Sequence, residues 1–398
     1  MRGHLRKYQL KDGHQRWAVV VYNGKRIGTN GQLQDSYRWI RGFKTQKLAQ
    51  GELTKVLKSL SDGTYVEPSK QTLSEFLDRW LNTVEGNLAP KTFERYKQLV
   101  DLNINPRLGA IRLMELQPLQ IAEFYKWSST SGNRRTKRGL SVQTVLHIHR
   151  LFRQAMEQAV KWNLRVKNPC DLVDAPRPER KEMKPVEEDR AGALIISSEE
   201  TDMYLPILMG LCTGMRRGEI LGTRWSDLDL VNSSLTVNQS VCQTRSRGVF
   251  FKAPKKKKSQ RTISLPEILV IALREHRSKQ AKERELFGPD YQDFDLVLPM
   301  PDGNPWAPDR FTDAYLAFAR SHGADGIRFH DLRHTHASEL LRRKTPLKTV
   351  SQRLGHSNAT VTLNTYAHVM SGDDEDAAKL VGTLLQDQLT KQRNKEPK

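Results

Sequence analysis

The spacing of apolar positions changes three times along the chain. The run Arg16-Trp17-Ala18-Val19-Val20-Val21-Tyr22 is β-branched and aromatic, and Lys25-Arg26-Ile27-Gly28-Thr29 follows after Asn23-Gly24. Asn-Gly between two such runs is the strongest short hairpin signal. A third strand is expected over residues 36–42. Leu48, Leu53, Val56, Leu57 and Leu60 then recur at helical spacing within residues 45–60. Residues 1–67 therefore read as a small three-stranded sheet with one packed helix.

The period is helical throughout the next block. Leu73, Phe76, Leu77, Trp80, Leu81 and Val84 form one apolar stripe. Pro90 suits the first turn of the following helix, where its missing N–H costs nothing. Ile111, Leu113 and Leu116 lead to Pro118, which opens a third helix through Trp127. Arg134, Arg135, Lys137 and Arg138 make residues 132–139 a basic loop. Ser141 caps a long helix carrying Val142, Val145, Leu146, Phe152, Ala155, Met156 and Ala159. Residues 69–175 thus read as a helical bundle. Pro176, Pro178 and Pro185 among Arg, Lys and Glu make residues 176–188 an extended linker.

From residue 189 to 398 the periods are mixed. Residues 203–212 are apolar, and Thr213-Gly214 should open a helix carrying Arg216 and Glu219. Residues 233–240 and 249–253 alternate like strands, with 261–265 returning as the partner of the lysine-bearing strand. Residues 308–322 read as a helix. His330 and Arg333, three apart, share one helix face. Near the C-terminus the acids at 373–376 precede Leu380, Val381, Leu384, Leu385 and Leu389. Acids at a helix start suit the macrodipole, so a short amphipathic helix is expected there. The fold class is multidomain α+β: sheet plus helix, then helical bundle, then a mainly-α block with a small antiparallel sheet.

Charge narrows the partner. The chain has 398 residues and a formal net charge of +20, enough length for two or three domains and a surplus that favours a polyanion. A membrane surface is the rival, but there is no apolar run long enough to span and no signal-peptide core at the N-terminus. Cys170, Cys212 and Cys242 are scattered, with neither metal spacing nor a disulfide framework, which suits a reducing cytoplasm.

The candidate chemistry lies in the last half. Thr213-Gly214-Met215-Arg216-Arg217-Gly218-Glu219 comes first, then the lysines 255–258, His330-Asp331-Leu332-Arg333, Leu354-Gly355-His356, and Tyr366. Each piece alone has an ordinary explanation as cap, core or solvated face. The ordered set suits attack of a phenolic oxygen on a DNA phosphodiester. Phosphoryl transfer spreads negative charge that fixed cations stabilise, and the planar arginine fork meets two phosphate oxygens at once. A leaving 5′-oxygen needs a proton, which lysine or histidine supplies. A covalent tyrosyl intermediate stores the bond while strands change partners.

These motifs resemble the catalytic domain of the tyrosine recombinases, the phage integrase family, over about residues 186–389. Residues 213–220 match its first arginine motif, residues 254–263 resemble its lysine-bearing hairpin, and residues 330–335, 354–357 and 365–369 match the remaining motifs. Ser264 and Ile220 depart from the usual proline and leucine. The position after Pro254 fits best, which selects Lys255, with Lys256 and Lys257 still possible.

The resemblance implies that Tyr366 makes a 3′-phosphotyrosyl link, that Arg216 and Arg333 clamp the phosphate, and that His330 and His356 bind it and assist proton movement. Lys255 would protonate the leaving 5′-oxygen. No metal and no cofactor is implied. Residues 1–67 resemble an arm-site DNA-binding domain, and residues 69–175 a SAM-like core-binding domain. The implied partners are double-stranded DNA at attachment core and arm sites, three further copies in a homotetramer, an excisionase and a DNA-bending host factor, in a bacterial cytoplasm or nucleoid. The reaction would integrate and excise a mobile element, viral or conjugative. The C-terminal helix would dock on a neighbouring protomer or on its own domain. Glu219 is expected to be a buried partner of the arginine motif. His334, His336 and His368 are further possible donors. A tyrosine-type topoisomerase and a non-catalytic DNA-binding regulator are the alternative functions.

Overall fold

Three antiparallel strands open the chain: β1 (Gly3–Gln9), β2 (Gln15–Ile27) and β3 (Leu33–Phe43), paired in that order. The computed structural model describes residues 3–27, 32–62, 65–67, 69–179, 186–253, 260–356, 358–367 and 373–393. The strand count matches expectation, but the strands do not. β1 is additional, and Asn23-Gly24 lies inside β2 instead of ending it. Gly24 takes φ +82°, and the β2–β3 register slips between Tyr22 and Lys25. The Asn-Gly step thus serves as a bulge, which absorbs a positive φ without reversing the chain. The first reversal instead uses Gly13, also at φ +82°.

Thr45 starts α1 (Gln46–Ser61) by accepting from the Leu48 N–H. The helix lays Ala49, Leu53 and Val56 against Val19 and Val21.

The next helices are α2 (Leu73–Val84), α3 (Pro90–Leu99), α4 (Asn105–Leu108), α5 (Pro118–Ser131) and α6 (Val142–Lys161). Thr72 and Glu75 close a reciprocal cap at the start of α2, and Ser141 accepts from the Thr144 N–H at the start of α6. The α2 stripe from Leu73 to Leu81 meets Val145, Phe152, Ala155, Met156 and Ala159 of α6 in one core. Arg134, Arg135, Lys137 and Arg138 stand exposed between α5 and α6. The sheet core and the bundle core both belong to one compact unit, Met1–Glu179; the other unit is Arg180–Lys398.

The second unit begins with α7 (Glu188–Ser198), α8 (Tyr204–Thr213) and α9 (Arg217–Leu221). The expected linker overlaps the first residue of α7, and residues 180–185 lie outside the described part. Short strands follow: β4 (Leu228–Asp229), β5 (Ser234–Thr236), β6 (Ser240–Thr244), β7 (Gly248–Lys252) and β8 (Thr262–Ser264). The pairing differs from expectation. β8 pairs with β5, and β7, which leads toward the lysines, pairs with β6. Leu235 faces Ile263, and Val241 faces Phe251. Apolar cross-strand pairs select these partners.

Among the described residues, four longer and two short helices follow: α10 (Glu267–Phe287), α11 (Pro308–Ser321), α12 (Phe329–Arg342), α13 (Leu347–Leu354), α14 (Ala359–Tyr366) and α15 (Asp373–Arg393). α8 is apolar on nearly every side and is buried in the main core with Leu269, Phe311, Phe329 and Leu332. A smaller cluster of Ala337, Leu341, Val350, Leu354 and Tyr366 joins α12, α13 and α14. On α15, Leu380, Val381, Leu384, Leu385 and Leu389 are exposed. No helix among the described residues is long and apolar enough to cross a membrane.

Candidate active site

Gly214 sets the geometry of the first arginine motif. It ends α8 at φ +63°, and a Cβ there would lie 2.5 Å from His336 and 2.9 Å from Leu354. Only glycine meets both demands. Arg216 follows as the N-cap of α9, just before the helix and not on it. Its backbone N–H and its Nη1 donate to the Glu219 carboxylate at 2.9 and 2.8 Å. Its Nη2 reaches the Gly355 carbonyl at 3.4 Å. Nearly half of the Arg216 side chain, 45 %, remains open to solvent.

Glu219 is buried. Burial alone would raise its pKa, but hydrogen bonds and charge from Arg261, then Arg216, outweigh this and hold it at about 2. Arg261 also donates to the Arg353 carbonyl at 2.7 Å. Sequence reasoning gave Arg261 no role; an arginine directly before a strand whose alternate residue is core was the available signal.

Arg333 lies on α12 and is only 3 % exposed. Its Nη1 donates to the Gly214 carbonyl at 2.6 Å, and its Nη2 to the Leu354 carbonyl at 2.7 Å. The same Nη2 lies 3.0 Å from His356 Nε2. Burial, then repulsion from Arg216, lowers the guanidinium pKa to about 9, so it stays charged at neutral pH.

Because arginine only donates, His356 Nε2 must accept. His356 Nδ1 then carries the proton and donates to Thr362 Oγ1 at 2.7 Å. Burial, then Arg333, Arg216 and Arg261, lowers the His356 pKa to about 4. Thr362 lies one turn before Tyr366 on α14, so the histidine's hydrogen-bond partner and the tyrosine share one helix face.

Tyr366 ends that helix and is 1 % exposed. Burial raises its pKa to about 12 against an opposing pull from Arg333. Its hydroxyl lies 2.7 Å from His334 Nδ1. His330 keeps an exposed face on α12; desolvation, then the Arg333 charge, lowers its pKa. Its ring meets His334 edge-on, centroids 4.8 Å apart.

The fold therefore gathers Arg216, Arg333, His330, His356 and Tyr366 from α8–α9, α12 and α13–α14. Lys255, Lys256 and Lys257 lie outside the described residues, as does His368. His336 is spent on structure: its Nδ1 lies 2.7 Å from the Leu211 carbonyl, and it accepts from Arg353. His334 is the residue that sequence reasoning undervalued. Its spacing from His330 placed it on the same face, but its approach to Tyr366 is a tertiary fact.

Arginines and histidines set around a buried tyrosine suit phosphoryl transfer. Residues 186–372 match the model of the phage integrase family, and residues 72–127 match its N-terminal SAM-like domain. The chain belongs to the phage integrase family, the tyrosine recombinases. It is 28 % identical over 396 residues to a tyrosine recombinase XerC-like protein of Caldanaerobacter subterraneus, covering 94 % of this chain and 98 % of that protein. It is 25 % identical over 311 residues to the ICEBs1 integrase of Bacillus subtilis, covering 77 % and 81 %. A solved structure of the Tn1549 transposon integrase with circular intermediate DNA shares the fold at a TM-score of 0.66 and 20 % identity, covering 79 % of this chain and 99 % of that one. A lambda integrase tetramer bound to a Holliday junction does so at 0.52 and 17 % identity, covering 89 % and 94 %.

Proposed function

We propose that this recombinase integrates and excises a mobile element through a 3′-phosphotyrosyl intermediate. The observation that carries the reading is Arg333. One buried guanidinium ties the Gly214 turn, the Leu354 carbonyl and His356 to a single point beside Tyr366.

In the proposed cycle Arg216 and Arg333 hold the non-bridging oxygens of the scissile phosphate. His330 and His356 adjoin the same phosphate and assist proton movement there. Tyr366 Oη attacks phosphorus as its proton passes to the His330 imidazole, whose lowered pKa leaves it able to accept, and the bond to the 5′-oxygen breaks as Lys255 gives that oxygen its proton. A 5′-hydroxyl from a second duplex then gives its proton to Lys255 and attacks the phosphotyrosine, and Tyr366 leaves with the proton that His330 held. Binding energy is concentrated where charge develops, which is how a metal-free site lowers this barrier.

The sheet block at residues 1–67 is assigned to arm sites and the bundle at residues 69–175 to the core site, with the exposed arginines of the α5–α6 loop on phosphates. The working assembly is a homotetramer on two duplexes, as the lambda integrase tetramer on its junction suggests. An excisionase and a DNA-bending host factor complete the partners, and the bacterial cytoplasm or nucleoid is the compartment. The family assignment and the integrases among the relatives disfavour the topoisomerase and regulator alternatives.

Mixing two labelled linear duplexes with candidate core sites tests the reading. Recombinant products of swapped length support it. Relaxation of supercoils without exchange, or a mobility shift without cleavage, would replace it with one of the alternatives.

A further inference from the structure

The hydroxyl of Tyr366 meets an imidazole that the proposed cycle does not use. His334 follows Arg333 on α12 and is 8 % exposed. Its Nδ1 lies 2.7 Å from Tyr366 Oη, while its Nε2 is buried with no hydrogen-bonding partner among the described residues.

Counting polar groups settles the direction of this bond. If Nδ1 carried the proton, the Nε2 lone pair and the Tyr366 proton would both lack partners. If Tyr366 donates to Nδ1, only the Nε2–H is left over. Each buried orphan is costly, so the second arrangement prevails.

We propose that His334 is a positioning residue that holds Tyr366 as a buried, neutral phenol, and that this bond breaks before the tyrosine attacks DNA. The inference rests on the reading of Tyr366 as nucleophile. An attacking oxygen must come within about 3–3.5 Å of phosphorus, in line with the leaving group. A side chain 1 % exposed does not offer its oxygen to a duplex, so Tyr366 has to move.

A general-base role for His334 fails on magnitude. Burial, then His330, presses its pKa to about 4, while that of Tyr366 stands at about 12. Burial holds the imidazole pKa far below that of the phenol, so the proton stays on Tyr366. His334 can hold that proton in a hydrogen bond but cannot take it. Its surroundings allow no rescue: among the described residues Asp331 opposes Arg333 on α12 and Arg328 at its N-cap.

The test combines nitration of the DNA-free full-length protein by tetranitromethane with single-turnover cleavage of a nicked suicide substrate. Tyr37, 52 % exposed, serves as the internal reference for nitration. In the native protein Tyr366 should react far more slowly than Tyr37. In His334→Ala its nitration should rise by about fivefold or more, the worth of one net hydrogen bond, and cleavage should quicken by a similar factor. His334→Asn, whose Oδ1 can stand near the position of Nδ1, should restore both. His334→Leu replaces the alanine variant if that one folds poorly. Unchanged Tyr366 nitration in the alanine and leucine variants, or cleavage slowed in them, overturns the proposal. Failure of the underlying reading looks different: the native protein would form no Tyr366 adduct at all.

Discussion

Arg261 Nη2 donates to Glu219 Oε2 at 2.8 Å, in an ion pair with only 8 % and 11 % of its side chains exposed. Arg216 Nη1 binds the other carboxylate oxygen at 2.8 Å. Glu219 thereby fixes the first arginine of the site and joins it to the residue that precedes β8.

Removing that carboxylate should be costly. Glu219→Gln leaves two guanidinium groups without their counter-charge, and breaking a buried pair in this way costs about 3–5 kcal/mol. Calorimetry of the full chain should show the transition of the catalytic unit at clearly lower temperature. The pair also sets a pH dependence. The folded pKa of about 2 lies below the ordinary 4.5, so the stability it contributes is present above pH 4.5 and is lost as pH falls toward 2. The glutamine variant should lack this part of the acid loss. An unshifted transition would show that the network contributes little.

The two clamp arginines should separate by experiment. Arg216→Ala and Arg333→Ala should each slow cleavage by about a hundredfold or more, as for a lost transition-state donor. Only Arg333→Ala should also lower the melting temperature, because Arg333 is buried and satisfies two carbonyls while Arg216 is nearly half exposed. Equal melting temperatures for the two variants would contradict this difference.

The general acid is tested by its leaving group. Lys255→Ala should recover cleavage on a substrate whose bridging 5′-oxygen is replaced by sulfur, which departs without a proton. Recovery confined to Lys256→Ala or Lys257→Ala would move the role along the run.

The N-terminal block carries its own prediction. A chain starting near Ser69 should still bind and cleave core sites but lose binding to flanking arm sites, and integration with it. Arm affinity in the full chain should fall steeply with salt, since phosphate contacts release counterions. Arg6 and Arg41 both lie over Trp39, 5.2 Å from the ring centroid, which presents cations and an aromatic face together. Unchanged footprints on both kinds of site after truncation would leave the block as a stabilising cap.

Much of this architecture was legible because local rules and tertiary needs agreed. The α2 stripe, Pro90 and Ser141 each carry a signal that needs no distant partner. Asn23-Gly24 misled because a positive φ serves a bulge as well as a turn, and only the Tyr22–Lys25 register decides between them. The partner of β8 was hidden for a related reason: strand pairing is set by cross-strand contacts that alternation alone does not encode. In the site, the ordered motifs named the arginines, histidines and tyrosine. Arg261 was missed, and His334 stood only as a possible donor, because their partners, Glu219 and Tyr366, are reached only through the folded chain.

The covalent link at Tyr366 is open to direct test. A nicked suicide substrate should trap a protein–DNA adduct, with the peptide containing Tyr366 carrying the 3′-phosphate. Tyr366→Phe removes only the phenolic oxygen, so it should bind the same DNA with near-native affinity and form no adduct. An undiminished adduct from Tyr366→Phe, or a native adduct mapped to another residue, would contradict the account.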